Sequence, residues 1–284
     1  MSGEIPPFDI RYSIFDILRF AFLRPLGTRF RTMNPEEPVN AFKITTIGWW
    51  GAFPSAGEAT SGYLLQSDGL NILLDCGSGV LSLLQNYIQL ENLDAVILSH
   101  YHWDHVADIG CLQYAARILM DLGDRKKPLD IYGHAEDDNL SGLSYLQYSR
   151  GCPIDPQTVL ALGAFKFTFS RNIHPDPCFS IRIEQANRCM VYIADTAWTH
   201  DLVRIAQNAD LLLCESSLYD EYLGMIPGHL TAGEAGEIAA RAGVKHLVLT
   251  HLPHFGNHAL LLEQAGKKFA GKIELATTGK VWLL

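Results

Sequence analysis

The sequence lacks the features that mark disulfide-rich, secreted or membrane-spanning proteins. Its six cysteines form no CxxC pair, which excludes a thioredoxin motif and a zinc knuckle. No stretch of about 18 apolar residues is free of charged side chains, so we expect no membrane-spanning helix. The N-terminus shows no signal-peptide pattern, and cysteines among apolar neighbours behave as reduced thiols. We therefore expect a cytoplasmic protein.

Positive charge is also in short supply. The chain has 22 lysine and arginine residues against 31 aspartate and glutamate residues, a formal net charge of −9. Because general nucleic-acid affinity comes from clustered cations that displace counterions, we expect no stable nucleic-acid binding. What the sequence does have is 284 residues, of which 48% are hydrophobic and 19% charged, and 11 histidines. That length and balance predict a globular protein with a substantial core.

The first forty residues differ from the rest and are predicted to form an N-terminal arm and linker. From Ile10 to Thr32 the chain has five arginines and a single acidic residue, Asp16, and residues 12–23 are strongly apolar. Packing of this arm against the main domain is the favoured interpretation. A subunit contact in a homodimer, or attachment to a membrane surface, stays open as the alternative. The arm is assigned to residues 1–40 and the main domain to residues 41–284.

The main domain alternates between strand-like and helix-like patterns. Short β-branched and apolar runs bounded by turn residues predict strands at 42–48, 63–66, 71–75, 95–99, 129–132, 164–169, 179–184, 190–193, 211–214, 246–250 and 280–283. Apolar residues at helical spacing predict helices at 80–90, 108–122 and 231–242. Mixed strands and helices of this kind imply a layered α/β architecture.

One hexapeptide concentrates most of the chemistry. Residues 100–105, HYHWDH, place three imidazoles and a carboxylate directly after a predicted buried strand. In an extended turn His100 and His102 point the same way, so both can reach one ion, and Asp104 and His105 can reach a second. Divalent transition metals favour imidazole and carboxylate ligands together. The spacing therefore predicts a metal site, and a chance cluster of surface histidines is the alternative.

The hexapeptide matches the HxHxDH motif of the metallo-β-lactamase fold, and further motifs follow in order. Asp75 resembles the family's first motif, and His174, in IHPDPCF, resembles its third ligand histidine. Asp195, in VYIADT, resembles the bridging aspartate, and His251, in LVLTHL, resembles the last ligand. Taken singly, Asp195 could cap a turn and either histidine could be a hydrogen-bonded core residue. The resemblance covers residues 42–284 and implies a four-layer αββα sandwich.

The resemblance also implies a centre for two divalent metal ions. The implied ligand sets are His100, His102 and His174 for one ion, Asp104, His105 and His251 for the other, and Asp195 as the bridge. Asp75 would support the ligands without binding metal. Such a centre brings the pKa of a shared water towards neutrality, and Asp104 is the candidate base. The ligands suit zinc, which is favoured, and also accept manganese or iron.

A histidine at a helix entrance narrows the resemblance. His229 precedes a predicted helix that opens with a capping box of Thr231 and Glu234, where the helix dipole favours an anion. The arrangement resembles the His-Ser-Thr helix of ribonuclease Z, the tRNA 3′-end endonuclease, in which the histidine contacts the scissile phosphate and assists the leaving group. Glu215, in LLLCESSL, resembles the glutamate that orients that histidine. A helix-entry residue without chemistry is the alternative for His229.

The sequence departs from ribonuclease Z in three respects. Only 33 residues separate Asp195 from His229, which leaves no room for the long arm that grips tRNA in that family. Leu230 stands where the family pattern has serine, and the net charge is −9. What is left resembles the small, armless ribonuclease Z-like hydrolases related to cyclic-nucleotide phosphodiesterases.

These patterns favour a metal-dependent phosphodiesterase acting on a small phosphodiester or a flexible nucleic acid, with Asp104 as base and His229 as leaving-group acid. tRNA 3′-end processing is one alternative, with the basic arm replacing the missing one. Hydrolysis of lactones, esters or thioesters on the same metals is another, and a non-catalytic metal-binding module is the most remote. Five aromatic residues near the motif are candidates to line the pocket: Trp49, Trp50, Phe53, Tyr101 and Trp103.

Overall fold

The computed structural model describes residues 41–284, so the arm predicted at residues 1–40 lies outside the described residues and stays a prediction. None of the helices in residues 41–284 is long and apolar enough to cross a bilayer. All six cysteines lie in this part of the chain and are free thiols.

The described chain consists of strands and mostly short helices. The strands are β1 (Lys43–Gly48), β2 (Gly62–Ser67), β3 (Leu70–Leu74), β4 (Ala95–Ile97), β5 (Leu129–His134), β6 (Ser149–Ile154), β7 (Val159–Leu162), β8 (Phe165–Arg171), β9 (Phe179–Gln185), β10 (Arg188–Ile193), β11 (Leu211–Glu215), β12 (His246–Thr250), β13 (Lys272–Leu275) and β14 (Val281–Leu283). The α-helices are α1 (Val80–Leu84), α2 (Trp103–Val106), α3 (Ile109–Leu122), α4 (Asn139–Gly142), α5 (His200–Ile205), α6 (Ala232–Ala242) and α7 (His258–Gly266). Short 3₁₀ turns cover Leu90–Asn92 and Asp220–Tyr222.

The strands form two seven-stranded sheets with the same internal plan. Their orders are β14-β1-β2-β3-β4-β5-β6 and β13-β12-β11-β10-β9-β8-β7. In the first sheet the strands from β14 to β3 pair antiparallel and those from β3 to β6 pair parallel. In the second sheet β7 to β10 pair antiparallel and β10 to β13 pair parallel. Each sheet therefore has a parallel half whose strands end at one common edge, where ligand sites of α/β proteins usually form.

The side chains of β3 show how the layers are divided. Ile72 and Leu74 belong to the large core shared with the second sheet, whereas Leu73 packs in a second cluster with Leu112 and Ala116 of α3. Successive strand residues point to opposite faces, so one strand serves both layers. Helices α6 and α7 pack in the same way against the parallel strands of the second sheet. The predicted four-layer αββα sandwich is confirmed.

The secondary-structure predictions were wrong in two instructive places. The helix predicted at 80–90 ends at Leu84, because the N–H groups of Asn86 and Tyr87 bond to carbonyls only three residues back, while Ile88 stays buried. Apolar spacing records burial and cannot distinguish a helix from a buried turn. The missed strands β6, β7 and β13 are all sheet edges, where half-exposed residues, and Pro153 in β6, weaken the strand pattern.

Candidate metal centre

The predicted site residues meet at the carboxyl ends of strands from both sheets. Asp75 follows β3 and His100 lies three residues after β4, whereas Asp195 follows β10 and His251 follows β12 in the second sheet. Asp75 and His251 have left-handed backbone conformations, with φ of 54° and 52°. Non-glycine residues rarely adopt this conformation. Here each of the two residues adopts it directly after the last residue of a strand, where the chain turns at the centre.

The structure brings all seven predicted ligands together in two neighbouring clusters. Within each cluster the ligand atoms lie within 4.8 Å of one another. The clusters are His100, His102, His174 and Asp195 on one side, and Asp104, His105 and His251 on the other. We call the first the His102 cluster and the second the His105 cluster.

Asp195 stands between the two clusters. Its Oδ2 lies 3.7 Å from Nε2 of His100, in the His102 cluster. Its Oδ1 lies 3.5 Å from Nε2 of His105 and 3.4 Å from Nε2 of His251, in the His105 cluster. One carboxylate thus presents a different oxygen to each cluster, which is the arrangement a bridging ligand needs.

Several buried polar atoms of the centre have no hydrogen-bond partner among residues 41–284. They are Nε2 of His100, Nε2 of His105, Oδ1 of Asp195 and Nδ1 of His229. A buried polar atom without a partner is costly, and such atoms are normally satisfied by protein, water or an ion. Imidazole and carboxylate donors gathered at these distances suit a divalent metal. The residues present therefore fit a metal site.

Asp75 lies behind the centre and holds a buried hydrogen-bond network. Its carboxylate accepts from the backbone N–H and the hydroxyl of Ser99, at 2.7 and 2.8 Å. It also accepts from Nδ1 of His105 and from the hydroxyl of Tyr192, both at 2.8 Å. Ser99 Oγ lies 3.1 Å from Nδ1 of His100 in turn. The ring nitrogens held in this way are the outer ones, so Nε2 of each histidine faces the ligand cluster.

A second support lies under His251 and His229. Glu215, fully buried at the end of β11, accepts from the backbone and hydroxyl of Ser217, and Ser217 Oγ lies 2.8 Å from Nδ1 of His251. The other oxygen, Oε1 of Glu215, accepts from the N–H groups of Thr196 and Leu230 and lies 3.3 Å from Nδ1 of His229. Glu215 therefore connects a predicted ligand with the predicted leaving-group histidine.

The charges of the centre are strongly coupled. Burial opposes ionisation of the imidazoles, but the surrounding carboxylates outweigh it and raise the pKa of His105 and His251. Although burial alone would raise them, the same imidazoles hold the pKa of Asp104 and Asp195 below the usual range. Burial also opposes a charge on His229, yet Glu215 and the nearby aspartates raise its pKa to about 9. The carboxylates create a negative site that attracts positive charge.

The entrance of helix α6 differs from the expected anion site. The capping box is confirmed, since Thr231 Oγ1 accepts from the N–H of Glu234 and the Glu234 carboxylate accepts from the N–H of Thr231. The N–H of Gly233 donates to Asp220, and that of Ala232 donates to the backbone of Leu218. The helix N-terminus does attract anions, but they are the chain's own Asp220 and Glu234 carboxylates, so these first N–H groups are not available to a substrate anion.

The environment of Leu230 explains why this position can lack the serine of the ribonuclease Z pattern. Its side chain is fully buried in the main core, and its N–H donates to Glu215. The helix cap is provided by the next residue, Thr231, so no side-chain hydroxyl is needed at Leu230. The start of helix α6 is therefore fixed by backbone hydrogen bonds. Between His229 and Leu230, His229 is the residue whose ring faces the metal centre.

The aromatic candidates divide into supporting and exposed residues. Trp49 is buried and stacks on Trp50, which stacks on His254, and His254 stacks on Phe53 with ring centroids 3.8 Å apart. Phe53 at 58% and Trp103 at 79% are exposed, whereas the hydroxyl of Tyr101 donates to the backbone of His134. Ala52, next to Phe53, donates its N–H to Asp104 at 2.8 Å. The Trp49–Phe53 loop therefore borders the metal centre, with Phe53 at its outer end.

Sequence reasoning missed the residues that orient the ligands. Ser99 and Asp176 stand within two residues of predicted ligands, and that proximity is the signal that could have found them. Ser217 follows Glu215 by two residues and could have been found in the same way. Tyr192 lies 117 residues from Asp75 in sequence, so only the packing of the two sheets reveals their contact.

Comparison with known proteins agrees with this geometry. A family model described as a β-lactamase superfamily domain matches residues 70–252. The chain is 44% identical over 241 residues to the probable metallo-hydrolase YhfI of Bacillus subtilis, a match that covers 84% of this chain and 99% of that protein. The crystal structure of YhfI, described as a metallo-β-lactamase fold protein, matches with a TM-score of 0.85 over 86% of this chain and 100% of that one.

Two more distant relatives carry names of phosphoester chemistry. A ribonuclease Z of Archaeoglobus fulgidus is 26% identical over 296 residues, covering 82% of this chain and 94% of that protein. A crystal structure described as a new diphosphatase from the PhnP family has a TM-score of 0.70 and 17% identity, covering 86% of this chain and 97% of that one. At that identity the second likeness shows the fold alone.

Proposed function

The chain belongs to the β-lactamase superfamily and is a metallo-hydrolase, and from this membership we propose that it is a phosphodiesterase that uses two divalent metal ions, with zinc favoured. The observation that carries the proposal is the position of His229. Its Nδ1 lies 3.3 Å from Glu215 and 4.0 Å from Asp195, at the rim of the metal centre. Cleavage of a phosphodiester with a poor leaving group needs a proton donor at this kind of position, whereas many carbonyl esters do not.

Each cluster would hold one ion, with Asp195 shared between them. Two bound ions would supply Lewis-acid activation of a water and of the phosphoryl oxygens. The separate approach of the two Asp195 oxygens to His100 and to His105 supports this assignment. His229 also lies within ligand distance of Asp195 and His251, but its Nδ1 lies closer to Glu215, at 3.3 Å, than to Asp195, at 4.0 Å, so we assign it to proton transfer.

Asp104 is the proposed proton acceptor. Its Oδ2 accepts from the N–H of Ala52 at 2.8 Å and lies 3.0 Å from Nε2 of His251. These contacts fix the orientation of the carboxylate inside the His105 cluster. A carboxylate held low in pKa by its neighbours is ionised at neutral pH and can accept a proton from the attacking water.

His229 is the proposed proton donor to the leaving oxygen. Glu215 faces Nδ1 of its ring, which leaves Nε2 as the nitrogen available to a substrate. Glu215 accepts hydrogen bonds from the N–H groups of Thr196 and Leu230, so the carboxylate that faces the His229 ring has a fixed position. The side chain of His229 is 22% exposed, enough to reach a bound ligand while staying in place.

The substrate is proposed to be a small or flexible phosphodiester. Residues 196–228 are occupied by α5, β11 and a 3₁₀ turn, so the described chain has no arm there that could grip tRNA. The formal charge of −9 also disfavours a large polyanion. The relative named ribonuclease Z supports phosphoester chemistry, and tRNA processing is the alternative that it keeps open.

A panel of substrates tests the proposal. Zinc- or manganese-loaded protein is offered a bis-aryl phosphodiester, the matching phosphomonoester and a lactone at equal concentrations. The proposal expects the phosphodiester to be hydrolysed fastest, and a lactone preference would contradict it. Cleavage of a tRNA precursor that weakens steeply with salt would indicate the alternative, since counterion release would then dominate binding.

A further inference from the structure

Asp176 contacts two of the predicted ligand histidines without belonging to either ligand cluster. Its carboxylate oxygen Oδ2 is hydrogen-bonded to Nε2 of His102. Its backbone oxygen lies 3.1 Å from Nδ1 of His174, two residues earlier in the chain. Asp176 is not one of the clustered ligand residues.

These contacts decide which nitrogen of each ring faces the metal centre. Carboxylate and carbonyl oxygens only accept hydrogen bonds, so the ring nitrogen facing Asp176 carries the proton. In His174 this nitrogen is Nδ1, which leaves Nε2 for an ion. In His102 it is Nε2, which leaves Nδ1. One residue therefore turns opposite nitrogens of two neighbouring rings towards the same cluster.

His102 differs in this respect from every other predicted ligand histidine. The partners of Nδ1 in the other rings are Ser99 for His100, Asp75 for His105, Asp176 for His174 and Ser217 for His251. Each of those contacts leaves Nε2 free to face the centre. His102 alone among the five has its Nε2 engaged from outside, so its ligand nitrogen depends on Asp176.

The loop that carries Asp176 is fixed to the bridging aspartate. Asn172 closes the loop through a backbone hydrogen bond of 2.9 Å to Cys178. The buried side-chain amide of Asn172 also donates to the backbone oxygens of Ala194 and Asp195, at 3.2 and 3.1 Å. The position of Asp176 is therefore tied to the centre itself, although its side chain is 57% exposed.

We propose that Asp176 is a positioning residue that holds His102 in the Nε2–H tautomer, with Nδ1 turned to the metal. This inference rests on the proposed metal centre. A carboxylate behind a ligand imidazole fixes the tautomer and ring orientation and strengthens the ring as a donor, and its loss typically lowers metal affinity about 10- to 100-fold. Because the His102 side chain is 42% exposed and water competes for the contact, we expect the lower end of that range.

The first test observes the tautomer in protein without metal. Nitrogen-15 spectra of histidine-labelled wild type, Asp176→Ala and Asp176→Asn are compared, with His102→Gln used to assign the ring. Wild type is expected to show His102 protonated at Nε2 alone. Asp176→Ala is expected to show both tautomers in exchange, and Asp176→Asn, which keeps an acceptor oxygen, is expected to stay closer to wild type. A His102 signal that does not change in Asp176→Ala would overturn the proposal.

The second test measures zinc affinity by competition with a chelator. We expect Asp176→Ala to weaken the binding of one zinc ion about tenfold and to leave any second ion unchanged. Glu136→Gln is the matched control. Glu136 is an exposed acid that, like Asp176, lies near His134, but it pairs with Arg171 and contacts no predicted ligand. An equal loss in Glu136→Gln would show that only local negative charge matters, which contradicts positioning.

The two tests separate this inference from the proposed function. If wild type binds no zinc, the proposed metal centre fails, and the tautomer of His102 in the metal-free protein still decides the role of Asp176. If wild type binds zinc and hydrolyses phosphodiesters while Asp176→Ala matches it in tautomer and affinity, the proposed function stands and the positioning role is wrong.

Discussion

The two clusters of the metal centre differ in how deeply the carboxylates behind their histidines are buried. In the His105 cluster the outer nitrogen of His105 is held by Asp75, and both side chains are fully buried. In the His102 cluster the outer nitrogen of His102 is held by Asp176, and these side chains are 42% and 57% exposed. The chemistry of the two contacts is the same, a carboxylate behind an imidazole, but only one of them lies inside the core.

This difference separates residues that serve the fold from residues that serve the metal alone. Asp75 accepts four hydrogen bonds, and two of its donors lie at different sheets: Ser99 follows β4 of the first sheet, and Tyr192 lies in β10 of the second. Removing it would leave several buried donors without a partner, which is expensive. Asp176 has solvent as an alternative partner, so its loss should cost the protein little stability. Stability and metal affinity should therefore respond differently in the two clusters.

The largest effect is expected where the clusters join. Asp195→Ala removes the carboxylate whose oxygens face both His100 and His105. We expect most of both ions to be lost and turnover to fall by about three orders of magnitude or more, since the proposed two-metal clamp would disappear. Metal content by elemental analysis and turnover on a phosphodiester check this. Full retention of one ion at wild-type affinity would show that the clusters are independent.

A large effect on turnover alone is expected at His229. His229→Ala should cut turnover on a phosphodiester with an alkyl leaving group by about two to four orders of magnitude, as for a missing general acid. An aryl leaving group needs little protonation, so the loss there should be much smaller. Metal content should not change. An equal loss on both substrates would indicate phosphate binding instead of proton donation, and a fall in bound metal would make His229 a ligand.

The next effect compares stability across the two clusters. Asp75→Asn keeps the shape, and asparagine tolerates the left-handed backbone of this position. It nevertheless places an amide among donors, so we expect a loss of about 3 kcal/mol in the free energy of unfolding. Asp176→Asn should cost less than about 0.5 kcal/mol, as exposed substitutions usually do. Urea unfolding of both metal-free variants measures the difference, and similar losses would remove the distinction between the clusters.

Sequence patterns predicted which side chains gather in the candidate centre better than they predicted the residues that orient them. The spacing of His100 to His105, followed in order by the later motifs, placed all seven predicted ligands in one centre, because metal ligands carry recognisable chemistry. Asp75 and Glu215 were also found, each at the end of a strand. Ser217 and Asp176 were missed, since a serine or an exposed aspartate in a loop has many ordinary uses and its contact depends on how the loop folds.

For the fold as well, the sequence predicted some parts better than others. Central strands such as β4 and β11 are continuous apolar runs, and the sequence marks them clearly. The edge strands β6, β7 and β13 are partly exposed and had no such mark. The C-terminal end of helix α1 was also misplaced, because Ile88 stays buried beyond the last helical residue, Leu84. Local patterns report burial, whereas hydrogen bonding at edges and turns is decided by tertiary contacts.

A smaller loss of stability than that of Asp75→Asn is expected far from the centre, where Glu274 of β13 accepts from Trp282 of β14 at 3.1 Å and joins the edges of the two sheets. Burial opposes its charge, but hydrogen bonds from Lys272, Trp282 and Lys280 lower its pKa to about 2. A carboxyl group with a lowered folded-state pKa stabilises the protein above its unfolded pKa of about 4.3, and the contribution disappears as the pH falls towards 2.

We therefore expect Glu274→Gln to lower the free energy of unfolding by about 1 kcal/mol at pH 7, with a smaller loss at pH 3.5. Urea unfolding of metal-free protein at several pH values measures it, and Glu263→Gln, at an exposed position of α7, is the control. Zinc affinity should stay at the wild-type value. A loss that grows as the pH falls would contradict the direction assigned here.

The most direct test of the account is a zinc titration of metal-free protein. Calorimetry monitors the titration, and elemental analysis then measures the zinc content of the loaded protein. The account predicts two ions per chain, because the His102 cluster and the His105 cluster each supply a ligand set and share Asp195. The same loaded protein should hydrolyse a phosphodiester, and removal of the ions by a chelator should abolish that activity until zinc is returned. Saturation at a single ion, with full phosphodiester hydrolysis, would contradict the two-metal centre.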